Sequence, residues 1–449
     1  VTALRVLLII LCLLIAAAGC APNSDAQVSV TNDNNSAQAE VELTPKISAG
    51  PQSSAMQASE CTTPTSGRQM SEQEIRDEAV ETILRGMTSE QKVGQLIVTN
   101  YNSAVAGEDA VALMREIAPG GIVFGEINFQ SAEQTRKLVE DLNSYSDLPL
   151  IITVTEEGGR VSRATKNEME TTLLPSMFMI GQTGDPQLAY RAGQVLGTEL
   201  MSLGVNLVLG PVADIWNNPK NTVIGDRSFG DDPQLVSKMV SAMVKGMRDA
   251  GIGTVLKHFP GHGGTLQDSH TEMTYSDSTL AQLRVGEFLP FVAGIEAGSD
   301  GVMSAHVVLP NVMEDEKPST VSYLVLTEIL REQLGFEGLI ITDSMHMLGM
   351  ANFAPVPKAS VMAVQAGADI LLVDQINLAQ TFDALLAAVK SGEISQERLD
   401  DAVRRILMFK IEHGLFDETF VLANQQDVIG LQAHTDLVDE IESRAGGAQ

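Results

Sequence analysis

The feature that most constrains this chain is an alternation. Short apolar runs rich in branched residues recur eight times between residues 93 and 374, separated by amphipathic stretches of helical length. The runs are VGQLIVTN (93–100), GGIVFG (120–125), PLIITV (149–154), VNLVLGPVADI (205–215), TVLKHF (254–259), DGVMSAHV (300–307), GLIITDSM (338–345) and ADILLVD (368–374). Several are continuously apolar, the pattern of parallel strands covered on both faces. SAEQTRKLVEDLNSYS (131–146) opens on a serine N-cap, and segments 231–251, 279–298, 319–335 and 395–414 each end on glycine. Eight strand–helix repeats predict an α/β fold, a (β/α)8 TIM-type barrel in a single catalytic domain. A doubly wound open sheet is the competing arrangement. The tail after Phe416 reads as irregular, with one short amphipathic stretch near 436–444.

The domain occupies 71–449 in this reading. Residues 1–20, VTALRVLLIILCLLIAAAGC, have the anatomy of a secretory signal peptide. The ending AAAGC resembles a bacterial lipobox, with Cys20 as the lipidated residue; a plain N-terminal membrane anchor is the alternative. Either reading expects an extracytoplasmic protein, periplasmic or on the cell surface, that meets the membrane only through its N-terminus. Residues 21–70 are Ser, Asn, Gln, Thr, Ala and Pro without apolar period, a disordered tether. With Cys12 in the signal and Cys20 lipidated, Cys61 is left alone, so no intrachain disulfide framework is expected. The net charge of −29 argues against nucleic acid as a partner.

Active sites of such barrels lie where strands end. The polar residues there are Thr155, Glu156 and Glu157, then Asp214, Lys257, His258, His306, Asp343 and Asp374. Asp374 and in part Asp214 read equally well as helix caps. The stretch KHFPGHGGTLQDSH (257–270) holds three of the seven histidines. His262 reads as a histidine bonded inside a turn. Asp268 and His270 form a pair in which the carboxylate orients the ring and raises its basicity, and the glycines upstream give the loop mobility. Pro260 and the glycines forbid the helix that a HExxH zinc site needs, and no Walker or GxSxG pattern occurs. No metal and no cofactor are expected.

The segments MTSEQKVGQL (87–96), EEGGRVSR (156–163), NNPKNTVIGDRSFG (217–230), KHFPGHGGTLQDSH and TDSM (342–345) resemble, in order, those of glycoside hydrolase family 3. The resemblance is to its bacterial single-domain β-N-acetylglucosaminidases. It implies two-step retaining hydrolysis, with Asp343 as nucleophile and His270 as acid/base oriented by Asp268. It implies that Arg163, Arg227, Lys257 and His258 hold the sugar hydroxyls and acetamide. A carbohydrate substrate containing N-acetylglucosamine and a monomeric enzyme are expected. The family motif usually carries Asp at position 155, binding a sugar hydroxyl; here it is Thr155. Either Glu156 takes over or the sugar preference changes. The rival readings are a β-glucosidase or other β-hexosidase of the same family, and a catalytically inactive sugar-binding lipoprotein.

Overall fold

The computed structural model describes residues 70–165, 169–265, 272–417 and 427–446. Eight parallel strands form one sheet. They are β1 (Ile97–Asn100), β2 (Gly121–Phe124), β3 (Ile151–Val154), β4 (Leu207–Val208), β5 (Gly253–Phe259), β7 (Gly301–Ser304), β9 (Leu339–Thr342) and β10 (Leu371–Val373). Their order is β10-β1-β2-β3-β4-β5-β7-β9. An Ile341–Ile370 bridge joins β9 to β10, and the Thr342 N–H donates to the Ile370 carbonyl at 2.9 Å, which closes the barrel. The expected (β/α)8 architecture is therefore present, and the open sheet is not. Two short strands outside the barrel, β6 (Thr274–Tyr275) and β8 (Val307–Val308), pair with each other.

The closure is pinned by one carboxylate. Asp369, fully buried just before β10, accepts from Arg398 at 2.8 Å, Arg405 at 3.3 Å, the Ile340 N–H at 3.0 Å, and Arg331. Arg331 and Arg398 also donate to backbone carbonyls at Phe336, Gly338, Val364 and Ala368. Three guanidinium groups thus tie both strands of the seam to the helices outside, at the end of the barrel opposite the strand C-termini.

Several elements differ from the sequence pattern for identifiable reasons. Val93–Gln95 belong to the helix Ser89–Gln95, because Thr88 and Gln91 form a capping box that starts a helix there. The long run 205–215 keeps only two residues of strand: Pro211 has no N–H to donate, and the Ala213 N–H turns to the Lys257 carbonyl at 2.6 Å. Segment 279–298 is two helices, Leu280–Val285 and Phe288–Glu296, broken at Gly286. Segment 319–335 becomes a short turn and a widened helix, Leu324–Gln333, whose last bond runs from the Leu334 N–H to the Ile329 carbonyl. The tail is more regular than expected. Gln432–Gly446 is a helix that buries Leu437, Ile441 and Ala445, one stripe at intervals of four. The Arg191–Glu440 and Glu199–His434 pairs, at 2.6 and 2.7 Å, hold it to the helix Pro186–Ser202.

Lys410 is fully buried in the helix Gln396–Glu412. Its ammonium donates to Gln95 Oε1 at 2.6 Å and has no carboxylate partner among the described residues. Burial pushes its pKa from 10.5 down to about 7. The unfolded chain binds the proton more readily, so stability rises as pH climbs from about 7 to about 10.5, where the unfolded lysine also loses it. Lys410→Met is expected to raise the melting temperature by a few degrees below pH 7, with the gain shrinking toward pH 10. Equal melting temperatures across that range would contradict the assignment.

Candidate active site

A cavity of about 890 Å³ opens at the C-terminal ends of the strands. Asn100 at the end of β1, Thr155 after β3, Lys257 and His258 at the end of β5, Asp343 after β9 and Asp374 after β10 all line it. The loops above β3 and β4 add Arg160, Arg163 and Arg227. Glu157, Asp214 and His306 are buried and support this surface from behind.

Glu157 organises the basic wall. Its side chain is 1% exposed and accepts from Arg227 Nε at 2.7 Å, Arg227 Nη2 at 2.9 Å and Lys257 Nζ at 2.5 Å. Burial alone would raise its carboxyl pKa, but the two cations hold it far below the ordinary 4.5. Arg227 is correspondingly raised, its burial outweighed by Glu157, Asp214 and Asp343. Lys257 is lowered: burial, with Arg227 beside it, outweighs the pull of Glu157. Charge-assisted pairing of this kind fixes both donors in direction.

Glu156, its neighbour in sequence, does something different. Its carboxylate accepts from the backbone N–H groups of Arg163 at 2.7 Å and Ala164 at 2.9 Å, away from the cavity. Burial raises its pKa. Gly158 and Gly159 have φ of +78° and +54°, so the chain reverses immediately after the two glutamates. Glu156 therefore holds the loop, and Thr155 alone of the three expected groups faces the cavity. Arg163 lines the cavity with Nη1 2.9 Å from Glu126. Arg160, which sequence reasoning passed over inside EEGGRVSR, binds Asp226 at 2.6 Å and the carbonyls of Thr222, Val223 and Ile224, tying the two loops together.

Asp214 anchors the histidine-rich turn. It accepts from His258 Nδ1 at 2.7 Å, the His258 N–H at 3.2 Å and the His262 N–H at 2.6 Å. Burial would raise its carboxyl, yet the adjacent His258 and His262 hold it low. It is a buried ring-orienting group and not a helix cap. His262 is bonded inside the turn, Nδ1 to Thr265 Oγ1 at 2.8 Å, as its pattern suggested. Asn221, missed in the sequence, donates to the His262 carbonyl at 2.7 Å and accepts from Val223 and Ile224. Gly263 lies against Ile215: a Cβ there would sit 1.8 Å from its carbonyl oxygen, so this glycine serves close packing as well as any loop motion. Asp268, His270 and Cys20 lie outside the described residues.

Asp343 is half-buried at the cavity floor. Its Oδ1 accepts the Ser344 N–H at 2.7 Å. Burial pushes its pKa up, but His258, His306, the Ser344 N–H and Lys257 bring it below the ordinary value, so it is ionised at neutral pH. A cavity-lining carboxylate beside fixed donors can attack an electrophilic carbon whose substituents those donors hold. Asp374 bonds Asn377 at its Nδ2, 2.7 Å, and its N–H, 3.3 Å, in the manner of a cap, while still lining the cavity.

The profile of the Glycosyl hydrolase family 3 N terminal domain matches residues 88–409, which contain every strand of the barrel and the whole cavity floor. This chain belongs to glycosyl hydrolase family 3. "Beta-hexosaminidase A" of Pseudoalteromonas piscicida is 31% identical over 399 residues, covering 79% of this chain and 66% of that protein. This chain thus spans just under two thirds of that relative. A "Beta-hexosaminidase" of Chromobacterium violaceum is 37% identical over 277 residues, 60% of this chain and 75% of the relative. Among solved structures, a family 3 β-N-acetylglucosaminidase from Paenibacillus sp. str. FPU-7 superposes with TM-score 0.75 at 36% identity, covering 80% of this chain and 69% of that one. The β-glucoside phosphorylase BglX is similar at TM-score 0.75 and 28% identity, covering 83% and 67%.

The basic wall of this family 3 barrel makes a stability prediction. Glu157→Gln leaves two buried cations without their carboxylate, at a cost of about 3–5 kcal/mol. The depressed carboxyl contributes stability above its unfolded pKa of about 4.5, and that stability is lost as pH falls below it. The gap in melting temperature between native protein and variant should be wide at pH 7 and narrow on acidification below 4.5. A gap independent of pH would show that the pair does not carry the effect.

Proposed function

We propose that this family 3 glycoside hydrolase removes terminal β-linked N-acetylglucosamine from glycans, with peptidoglycan fragments or chitooligosaccharides as substrates, and with retention of configuration. The observation that carries the reading is Asp343: an ionised carboxylate on the cavity floor, facing Lys257, His258 and Arg227. In the first step an Asp343 oxygen bonds to the anomeric carbon as the glycosidic bond breaks, and His270 gives its proton to the leaving oxygen. In the second step His270 takes a proton from water, whose oxygen displaces Asp343 and frees the sugar. Asp268 orients His270 in this reading. Lys257, Arg227 and Arg163 donate to sugar hydroxyls and the acetamide, being multi-donor groups that do not accept. The names of the β-hexosaminidase relatives support the acetamido sugar. The same reading has Cys20 carrying lipid and the barrel working outside the cytoplasm on its tether.

Thr155 favours a second reading. Without a carboxylate there, and with Glu156 committed to the backbone, the sugar preference shifts toward a β-glucoside or another β-hexoside. The structural likeness to a β-glucoside phosphorylase is consistent with it.

Nitrophenol release from the β-N-acetylglucosaminide and the β-glucoside, each with and without phosphate, separates the two. The first reading expects turnover of the acetamido sugar alone. Turnover of the glucoside alone would replace it with the second, and binding without turnover of either would favour an inactive sugar-binding protein. Asp343→Ala is expected to lower kcat by at least about 1,000-fold with the melting temperature retained. His270→Ala should lose most on poor leaving groups and little on dinitrophenyl glycosides; equal losses on both would remove His270 from the acid role.

A further inference from the structure

His306 lies just beyond β7, is 1% exposed, and plays no part in the two steps above. Its ring spans two other segments. Nδ1 is 2.8 Å from Thr320 Oγ1, and Nε2 is 3.0 Å from the Ser344 carbonyl oxygen. A carbonyl oxygen only accepts, so Nε2 carries the hydrogen and donates it. The Thr320 hydroxyl accepts from Ser304 Oγ at 3.0 Å and also reaches the Ala305 carbonyl at 3.0 Å. Its single hydrogen goes to Ala305 when the ring is an imidazolium, or to Nδ1 when the ring is neutral. Both states keep the Nε2–H bond to Ser344.

The target of that bond is what matters. The Ser344 carbonyl and the Met345 N–H belong to one planar peptide unit. The Met345 N–H donates to the Leu372 carbonyl of β10 at 2.9 Å. The unit is therefore gripped from the β7 side by His306 and from the β10 side by Leu372. On the other flank, the Asp343 N–H donates to the Ser304 carbonyl at 3.1 Å, and the Ser344 N–H reaches Asp343 Oδ1. Strand hydrogen bonds hold β9 up to Thr342. Beyond it, the rotation that aims the Asp343 carboxylate is fixed by these few bonds.

We propose that His306 is a positioning residue for Asp343: its Nε2–H, on the Ser344 carbonyl, fixes the turn that points the carboxylate into the cavity. The inference rests on Asp343 being the nucleophile. His306 touches no reacting atom. The ring's nearness also favours the ionised carboxylate.

Side-chain amides separate this role from general packing. A glutamine at 306 carries its N–H near the place of Nε2, and an asparagine near the place of Nδ1. The full chain and its His306→Gln, His306→Asn and His306→Ala variants would be assayed for kcat and KM on the dinitrophenyl glycoside of whichever sugar the chain turns over. Its leaving group needs no acid. The proposal expects kcat to fall about 100-fold in the Asn and Ala variants, the penalty for a misplaced reacting group, with KM changed little. His306→Gln should recover most of that loss. Melting temperatures of the Gln and Asn variants should be similar. Equal kcat losses in those two variants, or an Asn variant with native kcat, would overturn the proposal. Asp343→Ala on the same substrate is the control: if it still turns over, the nucleophile reading fails independently of His306. If it is inactive while His306→Asn keeps native kcat, only the His306 inference fails.

Discussion

The site is built around one buried carboxylate that does no chemistry. Glu157 places a negative charge behind the cavity wall, and Arg227 and Lys257 meet it from the β4 loop and from β5. A buried carboxylate with a single partner would be costly, whereas one with two cations and three donors is stabilised and directional. Two cations against one anion leave an excess positive charge facing the cavity. Asp343, which lines the same cavity, is kept ionised partly by Lys257. The ionisation of Asp343 and the direction of the Arg227 and Lys257 donors thus have, in part, a common origin. Asp214 repeats the device one layer away, orienting the His258 ring and the turn that begins at His262.

A second carboxylate, Asp369, does the corresponding work at the opposite end. It collects Arg331, Arg398 and Arg405 at the seam between β9 and β10 and spends them on structure. The two ends divide the labour as barrels do, stability below and chemistry above. Closure also bears directly on the cavity. Asp343 follows β9, and the peptide after Ser344 is bonded to β10, so the turn carrying Asp343 straddles the seam that Asp369 locks. Disturbance of the seam would reach Asp343 through the Met345–Leu372 and Thr342–Ile370 hydrogen bonds.

The barrel was legible because buried parallel strands leave continuous apolar runs, and five of the eight runs differ from their strands only at the ends; 93–100 begins inside the helix Ser89–Gln95, and 300–307 runs past β7 to Val307 of β8. Run 205–215 differs most: after the two residues of β4 the chain is interrupted at Pro211, and its continuation pairs with β5 only through the Val212–Lys257 bridge and the Ala213 N–H on the Lys257 carbonyl. At the site, Thr155, Lys257, His258 and Asp343 were visible as polar residues ending apolar runs, and Arg163 and Arg227 through motif likeness. What pattern reading missed was the division of roles among neighbours. Nothing in EEGGRVSR says that Glu157 binds cations while Glu156 binds backbone; two positive-φ glycines decide it. Nor does sequence spacing bring His306 to Ser344, 38 residues apart. Such contacts depend on barrel closure, which is a property of all eight strands together.

Thr155 has a consequence for selectivity that follows from donor and acceptor counts. Arg163, Arg227 and Lys257 only donate, and a sugar hydroxyl can accept from them in several orientations. A carboxylate that only accepts is more demanding, because the hydroxyl must turn its hydrogen toward it, and an epimer that cannot do so leaves a charged group unpaired. Apart from Asp343, Asp374 is the one carboxylate among the described lining residues, and an asparagine already occupies one of its oxygens. With Thr155 the β3 side of the cavity offers a neutral hydroxyl that can donate or accept. Such a group pairs with either epimer. On the proposed reading, selection at a hydroxyl facing Thr155 is therefore weaker than an aspartate there would give.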